Sequence, residues 1–360
     1  MKYFILLIPL VALCYTMVRI YNILPFSPIF KWLAVFLGLA VFASMILSFM
    51  VGLDRLPVTL STVIYEVTTS WLFILLYLFM LFILMDILRC FHILPTELLF
   101  NSVKGTLIVT GIIFVVFICG NIRYYHKYRI PLEIKTEKQL SKKYRIVMIS
   151  DLHLGYHNQR KTLAKWIDMI NKENPDFVLI AGDVIDISTH PINLQRSFEE
   201  FHRLNAPVYA CLGNHEYISD LEGAKEFYKK SGITLLIDSC AVINDEILIV
   251  GRNDRSYKNR KTISQLLQGQ NKEQYSILID HQPYNLEQSA DAGINFQFSG
   301  HTHYGQVFPV NLITSAIYEK AYGQYKKGNT DYYISSGLGI WGGKFRIGTK
   351  SEYVVAELGN

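Results

Sequence analysis

The 360-residue sequence predicts an N-terminal four-helix transmembrane region followed by an α/β domain. Three observations predict it. Hydrophobic residues make up 51% of the chain, above the share usual for a water-soluble domain, and the excess lies in the first third. Four apolar stretches there, residues 3–24, 29–51, 70–88 and 103–122, approach the length of about 20 residues that a helix needs to cross the hydrocarbon core. From Tyr144 onward, short apolar strands alternate with amphipathic helices, the pattern of a layered α/β fold.

The breaks between apolar stretches are chemically clear. Pro25 and Pro28 separate the first pair, Asp54-Arg55 with Pro57 the second, and Pro95 the third. A cleaved leader is not expected over the first stretch, because no small-residue cleavage site follows it and Leu13 precedes Cys14. Residues 1–122 hold six basic and four acidic side chains, and residues 123–145 hold eight basic and two acidic. The remainder is therefore net −3 in a chain of net +5. The positive charge belongs to a juxtamembrane segment, so a basic nucleic-acid-binding face is not expected on the folded domain. The division is 1–122 transmembrane, 123–143 basic juxtamembrane linker, and 144–360 α/β domain. Lys2, Arg55 and the cluster after the fourth stretch fall on one side, which the positive-inside rule makes cytoplasmic. The expectation is a multi-pass protein of the cell membrane with its α/β domain in the cytoplasm. Arg19, Glu66, Asp86 and Arg89 lie in or near spans. They are read as snorkelling or paired charges, Asp86 with Arg89 at i, i+3. The five cysteines form no CxxC pair, and no disulfide framework is expected.

In the second half, polar clusters follow five apolar strands: Asp151-Leu-His153, Gly182-Asp183 with Asp186, Gly213-Asn214-His215-Glu216, Asp280-His281, and Gly300-His301-Thr302-His303. Ligands bind in the crevice outside strand C-termini in open α/β sheets. The set mixes imidazole nitrogen with carboxylate and amide oxygen and has no thiolate, which suits Mn, Fe or Zn. Its seven candidates, Asp151, His153, Asp183, Asn214, His281, His301 and His303, exceed what one ion can use. Two divalent ions about 3.5–4 Å apart would use all of them.

The series DxH, GDxxD, GNHE, an isolated His and GHTH resembles the calcineurin-like metallophosphoesterase family, over residues 144–360. The ending Gly300-His-Thr-His-Tyr-Gly-Gln306 is similar to its bacterial membrane-associated phosphodiesterase branch. The resemblance implies two β-sheets flanked by helices. It implies that Asp151, His153 and His303 bind one metal, that Asn214, His281 and His301 bind a second, and that Asp183 bridges. It further implies that His215 contacts the phosphoryl group and acts as general acid, while a metal-activated hydroxide attacks phosphorus. Two departures stand out: Tyr304 where the branch has a second Gly, and Asp280 where it has a small residue.

Other residues carry plainer readings. Asp186 and Glu216 are expected to support or cap, and His92, His126, His157, His190 and His202 to lie outside the site. The function expected is hydrolysis of a phosphomonoester, phosphodiester or pyrophosphate bond at the membrane surface, with lipid-linked substrates among the candidates. A tethered cyclic-nucleotide or nucleotide phosphodiesterase is the alternative. A non-catalytic receptor or scaffold of the same fold would have lost a ligand or the His after Asn, and this chain retains all of them.

Overall fold

The computed structural model describes residues 2–359, with side chains from residue 10 onward; Lys2, counted above for orientation, has its side chain outside them. Two compact units divide the chain: Met1–Ile122 with Gly342–Lys344, and Arg123–Trp341 with Phe345–Asn360.

The first unit is built from α1 (Lys2–Ile23), α2 (Pro28–Val51), α3 (Val58–Cys90) and α4 (Val103–Tyr125), whose last turn passes into the second unit. Pro28 starts α2, where its missing N–H costs nothing. Among the described residues three helices, α2, α3 and α4, are long and apolar enough to cross a membrane, and α1 contributes a shorter apolar run, Leu10–Ile23. The third expected span, 70–88, is only part of the 33-residue α3. Polar residues upstream of it do not end the helix, because Thr68 and Thr69 return their hydroxyls to the carbonyls of Ile64 and Tyr65, 2.7 and 2.6 Å away. Asp86 does not pair with Arg89. Its partner is Arg19 on α1, at 3.1 Å, and Tyr15 donates to its other oxygen at 2.6 Å. Interhelical packing brings an opposite charge into the interior, whereas Arg89 turns its guanidinium to the Phe100 ring.

The second unit stacks two six-stranded sheets. One has the order β1 (Lys127–Lys135), β12 (Ser351–Gly359), β2 (Tyr144–Ile149), β3 (Phe177–Ala181), β4 (Val208–Cys211), β5 (Thr234–Leu235). The other runs β10 (Gly323–Lys327), β11 (Thr330–Ile334), β9 (Phe296–Ser299), β8 (Tyr275–Ile279), β7 (Ile247–Gly251), β6 (Ser239–Ile243). The period-two pattern sorts the core. Ile146, Met148, Phe177 and Leu179 meet Ile249, Ile277 and Phe298 between the sheets. The alternate residues Val147, Ile149, Val178 and Ile180 pack instead with Leu163, Trp166 and Ile167 of α5 (Arg160–Asn171) and with Phe227 of α9 (Leu221–Lys230). Because both faces are covered, the central parallel strands read as unbroken apolar runs.

Nine residues of the segment expected to be a linker, Lys127–Lys135, form a strand. β1 pairs in parallel with β12 from Lys127 beside Ser351 to Lys135 beside Gly359. It is an edge strand, so Pro131 removes no shared ladder hydrogen bond that the fold requires, while Leu132 and Ile134 are buried on one face. Two short helices follow β3, α6 (His190–Leu194) and α7 (Phe198–Phe201), with Arg196 in the left-handed region between them. Between β9 and β10 the chain forms α12 (Val310–Ile317).

Candidate active site

β2, β3 and β4 are parallel neighbours in one sheet, and β8 and β9 are parallel neighbours in the other. Their C-terminal ends therefore deliver the five polar clusters to one edge. Asp151, His153, Asp183, His301 and His303 all take positive φ, from 45° to 70°. Non-glycine residues seldom adopt this conformation, which costs on the order of 1–3 kcal/mol each and concentrates at functional sites. Here it turns each chain sharply at the strand end so that the side chain faces the crevice. The glycines before the ligands serve close approach: a Cβ at Gly213 would strike the Asp183 carboxylate, and one at Gly300 the Asp151 carboxylate.

Two groups of donors face each other. Asp151, His153 and His303 form one, with the two histidine Nε2 atoms 3.0 Å apart and His303 Nε2 3.5 Å from Asp151 Oδ1. Asp183, His281 and His301 form the other, with Asn214 Oδ1 3.2 Å from His281 Nε2. A single oxygen, Asp183 Oδ2, lies 3.1 Å from His281 Nε2 and 3.8 Å from His153 Nε2, between the two groups. His215 stands beside them, its ring centroid 4.6 Å from that of His153.

The electrostatics suit cations. Burial works against charge on Asp183, yet the neighbouring His281, His215 and His153 hold its carboxyl well below the usual range. Burial likewise opposes a proton on His281, but Asp183 and Asp151 hold the imidazole well above its ordinary value. Protons on histidine thus balance the carboxylates where divalent ions would. His303 and His301 are pushed down by burial and by adjoining cationic histidines, His301 to about 4, which leaves neutral imidazoles able to ligate. His303 Nδ1 is buried without a hydrogen-bond partner. Two Nε2 atoms at 3.0 Å cannot both be lone pairs without a proton or a cation between them. The residues present fit a pair of metal ions.

The profile of calcineurin-like phosphoesterases matches residues 144–305, which contain every one of these donors. A metallophosphoesterase of Bacillus subtilis is 30% identical over 230 residues, covering 60% of this chain and 79% of that protein. The chain belongs to the calcineurin-like metallophosphoesterase family. One of Campylobacter jejuni is 31% identical over 227 residues, covering 61% of this chain and 60% of its own length. A zebrafish (Danio rerio) transmembrane protein with a metallophosphoesterase domain is 30% identical over 226 residues, covering 58% of this chain and 51% of that protein. The chain thus spans about three fifths of the length of the Campylobacter relative.

Around the metallophosphoesterase donors the structure adds supporting contacts. Asp186 Oδ1 lies 3.1 Å from His153 Nδ1, which fixes the ring so that Nε2 faces inward. The Ala181 carbonyl does the same for His281, at 2.7 Å from Nδ1. Glu216 is fully buried and accepts from the backbone N–H groups of Asp183, Val184, Ile185 and Gly213, at 2.7–3.1 Å, and from the Tyr228 hydroxyl. It clamps the Asp183 turn to the Asn214 turn. Asp280 pairs with Arg252 and Arg260, at 3.3 and 3.0 Å. Tyr304 stacks on Tyr322 with ring centroids 4.8 Å apart, so that side of the crevice is aromatic.

Two neighbours escaped the sequence reading. His157, expected outside the site, is buried with Nδ1 3.7 Å from Asp186 and Nε2 2.8 Å from the Ile340 carbonyl. Arg346 is fully buried and donates to the carbonyls of His303, Ser336 and Gly339, and to Ser351. Burial pushes its guanidinium down to about 10. It ties the turn carrying His303 to the loop that follows β11. No local signal marks either residue, because the partners of His157 lie 29 and 183 positions away and those of Arg346 lie up to 43 away.

Proposed function

We propose that the chain is a hydrolase that cleaves a phosphoester bond at a membrane surface with two divalent cations. Asp151, His153 and His303 would hold one cation, Asn214, His281 and His301 the other, with Asp183 serving both. The observation that carries this reading is the Asp183 oxygen lying between two imidazole groups, 3.1 and 3.8 Å away. Nitrogen and oxygen donors without thiolate favour Mn, Fe or Zn. When bound, such a pair supplies Lewis-acid charge to the phosphoryl group and makes water nucleophilic near neutral pH.

The protein's own part is orientation and proton transfer. His215 Nδ1 donates to the Asp186 carbonyl at 3.1 Å, which leaves Nε2 for the phosphoryl group and the leaving-group oxygen. It serves there as general acid. The fixed rings of His153 and His281 keep the crevice geometry constant while the ester is exchanged for product. Three helices able to cross a membrane keep the reaction at a bilayer, which favours lipid-linked phosphate esters. The Lys and Arg residues after the fourth span orient the α/β unit to the cytoplasm. Reporters fused at the C-terminus are expected to read cytoplasm.

The test is metal analysis of the purified full chain, with a screen of a nitrophenyl phosphodiester, nucleotides and phospholipids in Mn. Close to two transition-metal ions, activity lost to a chelator and regained with Mn is the expected result. A protein that binds no such metal and hydrolyses none of these overturns the proposal.

A further inference from the structure

The α/β unit exposes few large apolar side chains, and four of them, Phe308, Leu312, Ile313 and Ile317, fall within ten residues. Three lie on α12, at 57%, 56% and 59% exposure. At about 100° per residue, Leu312, Ile313, Ala316 and Ile317 share one side of the helix, within roughly 140° of arc. The polar Asn311 and Thr314 lie toward the protein and are half-buried, and Thr314 spends its hydroxyl on the Asn311 carbonyl at 3.0 Å. A helix bathed in water has the opposite arrangement, polar outward and apolar inward. This helix is inside out for water.

The C-terminal end of α12 reaches the cluster of donors. Tyr318, which caps α12, lies with its ring 6.2 Å from His301. Its hydroxyl is 3.0 Å from that of Tyr284, and the exposed Arg255 sits 4.1 Å over the Tyr284 ring. The order outward from the metals is aromatic hydroxyl, then aliphatic surface, with a cation at the rim. Acyl chain, interfacial aromatic and phosphate follow one another in the same way at a bilayer surface.

We propose that the apolar face of α12 enters a lipid leaflet, so that the metal centre meets phosphate esters at headgroup depth. A leaflet is always at hand, because the same chain carries three helices able to cross one. A second protein copy fits less well. Two turns of helix with four exposed apolar side chains fall far short of the roughly 800 Å² per partner of a stable interface. That the ester cleaved belongs to a lipid rests on the phosphoesterase reading above; the insertion of α12 does not.

The experiment uses the full chain in phosphatidylcholine–phosphatidylglycerol nanodiscs. In the variant L312W, the emission added over the parent is measured with and without bromine on the upper acyl chains of the lipid. Loss of most of the added emission in brominated discs is expected. Unquenched emission, or self-association through α12 in its place, overturns the insertion. A second arm compares two esters with the same leaving group, nitrophenyl hexadecyl phosphate in the bilayer and nitrophenyl ethyl phosphate in solution. Changing Leu312, Ile313 and Ile317 together to Ser should lower the ratio of long-chain to short-chain rates by about tenfold, since interfacial binding scales with buried apolar area. An unaltered ratio removes the lipid ester as the consequence of docking. If the parent with Mn hydrolyses neither ester, the phosphoesterase reading fails, and the quenching still decides the insertion.

Discussion

The two units handle charge and grease in opposite ways. Along α2, only 11% of the most apolar window is buried, so its large side chains point out of the protein. In the α/β unit, Ile146, Ile180, Ile249 and Phe298 vanish between layers. Each unit follows the hydrophobic effect, but toward different solvents. Both bury charge, and here the contrast is sharper. Arg19, Asp86 and Tyr15 in the apolar unit make a small neutralised group. At the strand ends of the α/β unit, buried carboxylates and imidazoles crowd together with ring nitrogens 3.0 Å apart. A cluster arranged only for stability would not aim lone pairs at one another. Charge paired with its counterion is structural, and buried charge left converging is a place for a ligand.

The largest effect expected of any substitution follows from that contrast. Asp183→Ala removes the oxygen between the two donor groups, so both metals and all activity should be lost, while every other single donor change loses less metal. Elemental analysis that finds Asp183→Ala fully loaded would break the shared-ligand assignment. His215→Ala comes next. It should keep its metals and lose rate by about 10²–10⁴-fold, the range of general acid–base catalysis. Alkyl esters, whose leaving group needs a proton, should suffer more than nitrophenyl esters. Equal losses for both leaving groups would reduce His215 to an electrostatic role, and lost metal would make it a ligand.

Stability changes should follow the same division. Glu216→Ala strands four buried N–H donors, each costing about 1–3 kcal/mol, so a loss of at least about 3 kcal/mol is expected. Chemical denaturation measures it, and a near-neutral result would show that the clamp carries no weight. The smallest pair of effects compares the two solvents directly. Leu37→Asp, on the outward face of α2, should impair membrane insertion by about 2.5–3.5 kcal/mol. Leu194→Asp, also exposed but on the α/β unit, should change stability by no more than about 0.5 kcal/mol. Equal costs at the two positions would mean that α2 does not face lipid.

Much of the site was legible because its signals are short. Apolar runs ending in Gly-Asp, Gly-Asn or Gly-His place each ligand type at a strand end, and period two places the strands in a layered core. The edge strand β1 was not legible, because Lys127, Arg129, Glu133 and Lys135 alternate with apolar residues around a proline, and such a stretch looks like a charged linker until β12 lies beside it. α12 was hidden for a related reason: Phe308, Pro309 and an apolar-polar mixture give no indication of which side will be covered. Glu216 was read only as a capping or orienting residue, and its four backbone partners belong to two different turns.

The amino-acid sequence by itself determined the apolar helices, the strand order of the donors and the chemistry those donors can do. Each of these depends on composition and spacing within a few residues. Only the tertiary structure decided that Arg19, not Arg89, neutralises Asp86, that Arg346 and His157 lie beside the clustered donors, and that one Asp183 oxygen stands between two histidine groups. It also decided that α12 turns its apolar face outward. These are pairings across tens to hundreds of residues, set by which surfaces meet when sheets and helices close. Local periodicity states what a segment can bury but not against what.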